Sequence, residues 1–442
     1  MAQQQSSPGT RRPALPRDHP QRAALNDEVH ARPSEPLSAP LRASYIALLG
    51  DAGEREAALD AVRDLARRFG AAALPKAGAT HYSTDLGAFR LRWERHSEFT
   101  RCMFVAPGLG ADPFAEPAIR AVPADWVAAL PGEVVAAVHA ALLPSGDGDA
   151  RDVDGLSGRY FAANQLIGAR VVGARGEAFT DLRIHGDGFG RIVLLDRGMT
   201  AAQAGRVLQR LLEIETYRIL ALLAFPVAKE LAPFLGARER DLAEISNALI
   251  AAGEADEAAL HERLTRLAAE IESREAANLF RFGAAAAYYD LVRRRIRELR
   301  ETRVEGLQTF EEFTERRLAP AVATCAAVAR RQEALSGRVA RATQLLSTRV
   351  EITRERQAFA VLASMNRRAH LQLRLQQTVE GLSVAAITYY VVGLVGYAAK
   401  GLVDAGVRMD PEIAVGAAVP AVAMLVALGM RRARRAIERK GD

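Results

Sequence analysis

The densest group of side chains able to do chemistry is HPQRAALNDEVHARP, residues 19–33. His19, Glu28 and His30 are metal-ligand types, and Arg22 with Arg32 offers two guanidiniums to an anion. If residues 21–29 are helical, Arg22, Asn26 and Val29 share one face, while Glu28, His30 and Arg32 gather at its end. The plainer reading is that Asn26, Glu28 and Arg32 cap this helix and dock it onto the domain that follows, as polar groupings at helix ends commonly do. His19, Arg22, Asn26, Glu28, His30 and Arg32 are therefore a candidate binding or docking segment. A second polar run, ERHSEF at residues 94–99, falls on a hairpin turn. Glu94, Arg95, His96 and Glu98 either serve a binding loop there or, as turn residues ordinarily do, face water.

Other chemical patterns fail on spacing. HERLT (residues 261–265) begins like a zinc-binding HExxH helix, but Thr265 stands where the second histidine is required. GDGFG (186–190) precedes the strand-like RIVLL rather than a helix N-terminus, so it reads as a turn and not a phosphate loop. GLSG (155–158) lacks the spacing of a nucleophile elbow. Cys102 lies in an apolar strand-like run, where cysteine is ordinarily a small core residue. We expect no catalytic, cofactor-binding or metal-binding residues, and no enzyme.

The elements that must position these residues alternate along the first half of the chain. Residues 44–49 (SYIALL) are a short apolar strand, and 54–69 a helix with Ala58, Val62, Leu65 and Phe69 on one side and Gly70 as its cap. Residues 88–95 and 99–105 read as paired strands, as do 165–172, 178–185 and 191–195. Segments 126–130 and 133–143 are apolar without a clear period. From Thr200, an N-cap, the pattern turns helical: 201–231 with an interruption at Pro226, then 239–282 with a break at Gly253, 284–318 and 321–379. Val292, Ile296 and Leu299, then Leu335, Val339, Ala342 and Leu346, recur at the three- and four-residue steps of a bundle or coiled coil.

Two uncharged apolar segments follow, residues 381–399 and 413–430. At about 1.5 Å per residue each reaches roughly 27–28 Å, close to the hydrocarbon thickness of a bilayer. Arg367, Arg368 and Arg374 precede the first; Arg431, Arg432, Arg434, Arg435, Arg439 and Lys440 follow the second. The connection has Lys400 and Arg408 with Asp404, Asp410 and Glu412. The positive-inside rule then sets both termini and most of the chain in the cytoplasm. Neither segment holds an ionisable acid, base or histidine, although Ser383, Thr388 and Tyr389 would be candidate pore-lining residues if several copies enclosed a path.

Of 442 residues, 49% are hydrophobic and 25% charged, which excludes collagen-like, low-complexity and fully disordered classes. Two distant cysteines make no metal knuckle or disulfide framework and suit a reducing compartment. The Pro-rich N-terminus has no apolar core, so no secretory signal is expected. The net charge of +6 is concentrated beside the apolar segments, with nineteen Arg against eleven acids in residues 281–380. With only 6% aromatic residues, this placement favours anionic lipid over nucleic acid. The expected partners are a lipid bilayer, further copies of the chain and a cytoplasmic protein, with no nucleic acid and no cofactor.

Several runs together resemble a family of uncharacterised bacterial membrane-anchored proteins, a domain-of-unknown-function family numbered thirty-four twenty-two. They are HPQRAALNDEVHARP, ERHSEF, GRYFAANQLIGARV (158–171), QRLLEIETYRILALLAFPVAKEL (209–231), RRLAPAVATC (316–325) and SMNRRAHLQLRLQQTVEGLSVAAITYYVVGL (364–394). The resemblance spans nearly the whole chain from His19 and implies membrane attachment in bacteria, with no activity or catalytic residues to transfer. The overall plan is also similar to the CorA-type magnesium transporters. Their Gly-Met-Asn motif is replaced here by VGYAAKG (395–401), with Lys400 where a cation path disfavours positive charge.

The expected fold class is an α+β cytoplasmic domain, then a long helical bundle or stalk, then a C-terminal two-helix transmembrane hairpin. Its boundaries are 1–37 for the tail and docking segment, 38–198 for the α/β domain and 199–380 for the stalk. The hairpin takes 381–430 and the basic tail 431–442. The expected function is a membrane-anchored scaffold or sensor of the bacterial inner membrane that self-associates through its helices. The competing expectation is a CorA-like oligomeric ion channel with two spans per subunit.

Overall fold

A computed structural model of the chain describes residues 16–30, 34–144, 146, 152–251, 256–406 and 408–438, the side chains of 24, 28–30 and 433–438 excepted. The N-terminal fifteen residues, Arg32 and Gly253 lie outside it. Two compact units divide the chain: residues 1–250 with 262–341, and 251–261 with 342–442.

The first unit is built on a mixed sheet. Its strands are β1 (Leu41–Leu49), β2 (His81–Asp85), β3 (Arg90–Arg95), β4 (Phe99–Pro107), β5 (Glu133–Leu143), β6 (Ile167–Val171), β7 (Gly176–Thr180), β8 (Gly190–Asp196) and β9 (Thr302–Arg303). They lie in the order β2-β3-β4-β1-β5-β8-β7-β6-β9, and among these pairs only β5 with β8 is parallel. The helices are α1 (Arg22–His30), α2 (Ala52–Arg68), α3 (Ala124–Ala128), α4 (Val153–Tyr160), α5 (Ala201–Leu222), α6 (Ala224–Ala251), α7 (Glu257–Leu299), α8 (Phe310–Arg317), α9 (Ala319–Asp404) and α10 (Pro411–Glu438).

Strand alternation assigns each face its cover. Tyr45, Ala47, Phe99, Met103, Val138 and Leu194 point to one face and pack with Leu208, Leu211 and Leu212 of α5 and Val292, Ile296 and Leu299 of α7. On the other face, Leu91, Trp93, Cys102 and Phe104 pack with Leu59, Val62 and Leu65 of α2, and Trp126 of α3 joins them. Further along that face, Ala141, Val193 and Phe179 meet Tyr160 and Phe161 around α4.

Capping chemistry starts three of the helices. Asp51 with Glu54, Thr200 with Gln203, and Thr309 with Glu312 each form a reciprocal capping box. Gly70 follows α2 at φ +66°, the left-handed conformation its lack of a Cβ permits. Gly205 serves a different purpose. A Cβ there would meet the Glu35 carbonyl oxygen at 1.7 Å, so glycine lets the segment ahead of β1 lie directly on α5, with Leu37 N–H donating to Ala201 O at 2.9 Å.

Three expectations change. The unassigned 133–143 segment is β5, the middle strand of the nine; EVVAAVHAALL is buried on both faces along most of its length and so shows no alternation. The helical reading of 284–318 stops at Leu299. Arg300 turns left-handed (φ 50°), β9 joins the sheet edge beside β6, and Thr309 starts α8. The interruption near Pro226 falls instead at Leu223, and Pro226 sits in the first turn of α6, where its missing N–H is harmless.

In the second unit, α9 continues without interruption through residues 342–404, and α10 follows after a turn at Gly406 (φ +94°). The two helices approach closely at Gly396, where a Cβ would lie 3.2 Å from Val415 Cγ2. That is the small-residue contact expected of a tight helical hairpin.

Candidate functional site

The charged residues of the ERHSEF run do not face water together. In β3, Arg92 and Glu94 alternate with Leu91 and Trp93, and the register sets Glu94 opposite Arg101 of β4. Their shared face lies under α5. Glu94 is fully buried and Arg101 is 7% exposed. Arg92 Nε donates to Glu94 Oε1 at 2.6 Å, and Arg101 Nε donates to Glu94 Oε2 at 2.9 Å. Arg101 Nη1 also reaches Glu213 of α5 at 3.2 Å. Glu213 accepts further from Gln209 at 2.8 Å and from Arg295 of α7. Glu298 then pairs with Arg295 at 3.1 Å and with Arg210 at 2.9 Å. One chain of alternating charge therefore ties β3 and β4 to α5 and α7. Glu98, at the other end of the motif, is buried and pairs with Arg281 of α7 at 2.7 Å. The expectation that these carboxylates are solvated turn residues is corrected: α5 and α7 cover the face that the hairpin alone would expose.

Burial opposes the ionisation of Glu94, but the hydrogen bond with His96 and the Arg101 and Arg92 guanidiniums outweigh it and hold the carboxyl well below the usual range. Glu213 is likewise lowered against its burial, by Arg101 and then Arg295. The cavity beside this network, next to Tyr45, Arg92, Arg101 and Leu212, has a volume of about 20 Å³, room for roughly one water. The network locks strands to helices; it has no space to process a substrate.

A second buried group has the residue types of a hydrolase triad. Ser44 of β1 and His139 of β5 are cross-strand partners, with Ser44 Oγ 2.9 Å from His139 Nδ1. Asp187 lies 4.0 Å from His139 Nε2, and Phe189 stacks on the imidazole at 3.9 Å. Ser44 is fully buried, its Oγ accepts the Ile119 N–H at 3.1 Å, and the Asp187 distance exceeds a hydrogen bond. No nucleophile is presented. Burial lowers the His139 pKa to about 4, with Asp187 opposing and Arg191 assisting. GDGFG forms a turn beside this group, its Asp187 carboxylate accepting the Phe189 N–H at 3.0 Å.

A polar cleft of about 550 Å³ lies in the first unit between the first turns of α5 and the end of α7. Arg206, Arg210, Arg294, Arg297 and Arg300 line it, with Val172 and the single carboxylate of Glu298.

The sequence-derived segment stands apart from these groups. His19 Nδ1 accepts the Gln21 N–H at 3.2 Å, and Arg22 pairs with Asp18 of the segment just ahead of α1. His19, Arg22 and Asn26 are exposed. The side chains of Glu28 and His30, and all of Arg32, lie outside the described residues. His261 of the HERLT run has its Nε2 3.3 Å from Ser347 Oγ. Among the described residues no three His, Cys, Asp or Glu side chains are grouped to hold a metal ion.

Length and hydropathy single out three helical stretches that suffice to cross a membrane, within Ala201–Ala251, Phe310–Asp404 and Pro411–Arg432, with mean hydropathies of 1.6, 1.7 and 2.3. Burial separates them. A third of the first stretch is inside the protein and α5 forms the core under the sheet, whereas 6% and 0% of the other two are buried. Core packing accounts for the apolarity of the first but not of the others. Ser383 donates to Val379 O at 2.9 Å within its own helix, Thr388 is half-buried and Tyr389 is 77% exposed.

A model of the family described as "Protein of unknown function (DUF3422)" matches residues 17–437. The chain belongs to this family. No curated protein and no solved structure matches it, and the similarity to CorA-type transporters gains no support. The residues that sequence reasoning missed are Arg101, Glu213, His139 and the arginines of the cleft. A guanidinium inside the apolar run FTRCMFVA and a carboxylate inside LLEIETYRIL were the signals for the first two.

Proposed function

We propose that this protein is a membrane-anchored scaffold or sensor, held in a bacterial inner membrane by a hairpin of two spans with its folded body in the cytoplasm. The observation that carries the reading is the exposure of the two C-terminal apolar stretches, of which 6% and 0% are buried among the described residues. A long helix that is apolar all round needs a partner of equal apolarity, and hydrocarbon is the simplest one. Positive charge brackets the pair on its outer ends, which supports cytoplasmic termini. A pore is less well supported. At 100° per residue, Ser383, Thr388 and Tyr389 spread around the helix rather than sharing one face.

Self-association belongs to the same reading. Ahead of the first span, Phe359, Leu362 and Met365 follow at three-residue steps along one side of α9 and are 59–69% exposed. Such an exposed stripe, continued by Leu371, Leu375 and Val379 further along α9, fits the seam of a helical pair. Native mass spectrometry of the full chain in lipid nanodiscs will give two or more copies. Leu362→Glu combined with Met365→Glu will reduce it to one copy, with membrane attachment intact. A single copy of the unaltered chain overturns self-association.

A further inference from the structure

The cleft between α5 and α7 holds more positive charge than the fold needs. Of its five arginines, Arg210 is neutralised by Glu298, whose carboxylate is also shared with Arg295. Arg206, Arg294, Arg297 and Arg300 are exposed and have no carboxylate partner among the described residues. The negative end of the α7 dipole, roughly half a charge, offsets only part of that. The start of α5 adds to the positive charge, because its first turn, from which Gln203 lines the cleft, carries no acid to offset the positive end of its dipole. Four like charges around one cleft repel one another, so an anion is the missing counterpart.

The backbone agrees. Val172 and Arg300 both line the cleft and both adopt positive φ, 54° and 50°. A β-branched residue there is a genuine outlier, and strain of this kind concentrates at ligand sites. The Val172 N–H donates to Leu299 O at 3.0 Å and so ties the strand to the helix end at the cleft. A volume of about 550 Å³ suits a small molecule. The lining has no aromatic ring, so there is no ring on which a nucleobase would stack. The use of arginine rather than lysine says little, since this chain has only four lysines; the convergence of charge carries the argument.

We propose that this cleft binds a small, phosphate-rich polyanion, its phosphate oxygens held by the guanidiniums of Arg206, Arg294, Arg297 and Arg300. This rests on the first unit alone and does not depend on the membrane reading. Phosphate groups reach the site either from a soluble molecule or from a lipid headgroup, and the test separates them. Full-length protein in phosphatidylcholine nanodiscs is titrated calorimetrically with inorganic pyrophosphate. In parallel, its unfolding midpoint is compared in nanodiscs with and without phosphatidylglycerol. Arg294→Ala combined with Arg297→Ala is the disabled variant, and Arg263→Ala, on another part of α7, is the control.

Pyrophosphate affinity is expected to fall at least tenfold in the double variant, and steeply with added salt, while the control binds as the unaltered chain does. That result assigns a soluble ligand. A midpoint shift with phosphatidylglycerol that disappears in the double variant, without pyrophosphate binding, assigns a headgroup. Equal behaviour of the unaltered chain and the double variant in both arms overturns the site. The unliganded unfolding midpoint of the variant, expected to be unchanged because the side chains are exposed, guards against misfolding as the cause.

Discussion

Replacing Arg101 with methionine will destabilise the folded body by about 3–5 kcal/mol, the usual consequence of removing one partner from a buried ion pair. Arg101 serves two carboxylates at once, through Nε to Glu94 and Nη1 to Glu213. Glu213 retains Arg295, but Glu94 keeps only Arg92 and His96 while remaining inaccessible to water. Arg101→Lys will recover only part of the loss, because one ammonium cannot reproduce a fork aimed at two acceptors. Adding Glu94→Leu to Arg101→Met will return more of the stability than the sum of the single changes predicts, as expected for coupled residues. The sign with pH follows from the lowered carboxyls. Glu94 and Glu213 contribute stability that is fully present above the unfolded value near 4.5 and is lost as pH falls towards their folded values. Denaturant unfolding at neutral and acid pH checks both points. A loss under about 1 kcal/mol, the range of surface ion pairs, would show that the network is solvated after all.

His139 gives the second large effect, and its direction is the same for a different reason. Its folded pKa is about 4, against 6.5 for a free imidazole. Between those values the unfolded chain takes up a proton that the folded chain refuses, so stability falls as pH drops from 6.5 to 4 and then levels for this group. The depression corresponds to about 3 kcal/mol in full, and to about 2.5 kcal/mol between pH 7 and pH 4.5. His139→Gln removes the proton uptake while keeping a polar group near Ser44. Its unfolding free energy will therefore decline by about 2.5 kcal/mol less than that of the unaltered chain over that interval. Parallel declines would mean that the imidazole is accessible to protons in the folded state.

Why the buried charges escaped a reading of the sequence is instructive. In β3 the series Arg90, Leu91, Arg92, Trp93, Glu94 alternates as a strand with one wet face does, and local pattern cannot reveal that α5 lies over that face. β5 was hidden for the opposite reason: burial on both faces removes alternation, and alanine has no strand preference to replace it. Local chemistry announced other elements clearly. Thr200 with Gln203 starts α5, Gly70 ends α2, and the pair β3–β4 was visible around His96 and Ser97. The arginine cleft had no local signature, since Arg206 and Arg210 are separated by more than eighty residues from Arg294, Arg297 and Arg300. Only the packing of α5 beside α7 brings them together.

The central claim is that two C-terminal helices cross a membrane with the body of the chain on one side. Site-directed thiol labelling tests it directly, because Cys102 and Cys325 are both buried and burial raises both thiols, Cys102 to about 12, so the native background is low. A membrane-impermeant maleimide is applied to intact bacterial cells with the outer envelope opened, expressing Ala363→Cys or Ala405→Cys in the full chain. Both positions are exposed, one ahead of the first apolar segment and one between the two. The account predicts labelling of Ala405→Cys in intact cells and of Ala363→Cys only after the inner membrane is permeabilised. Labelling of both only after permeabilisation, with protein released by alkaline wash, would contradict the hairpin.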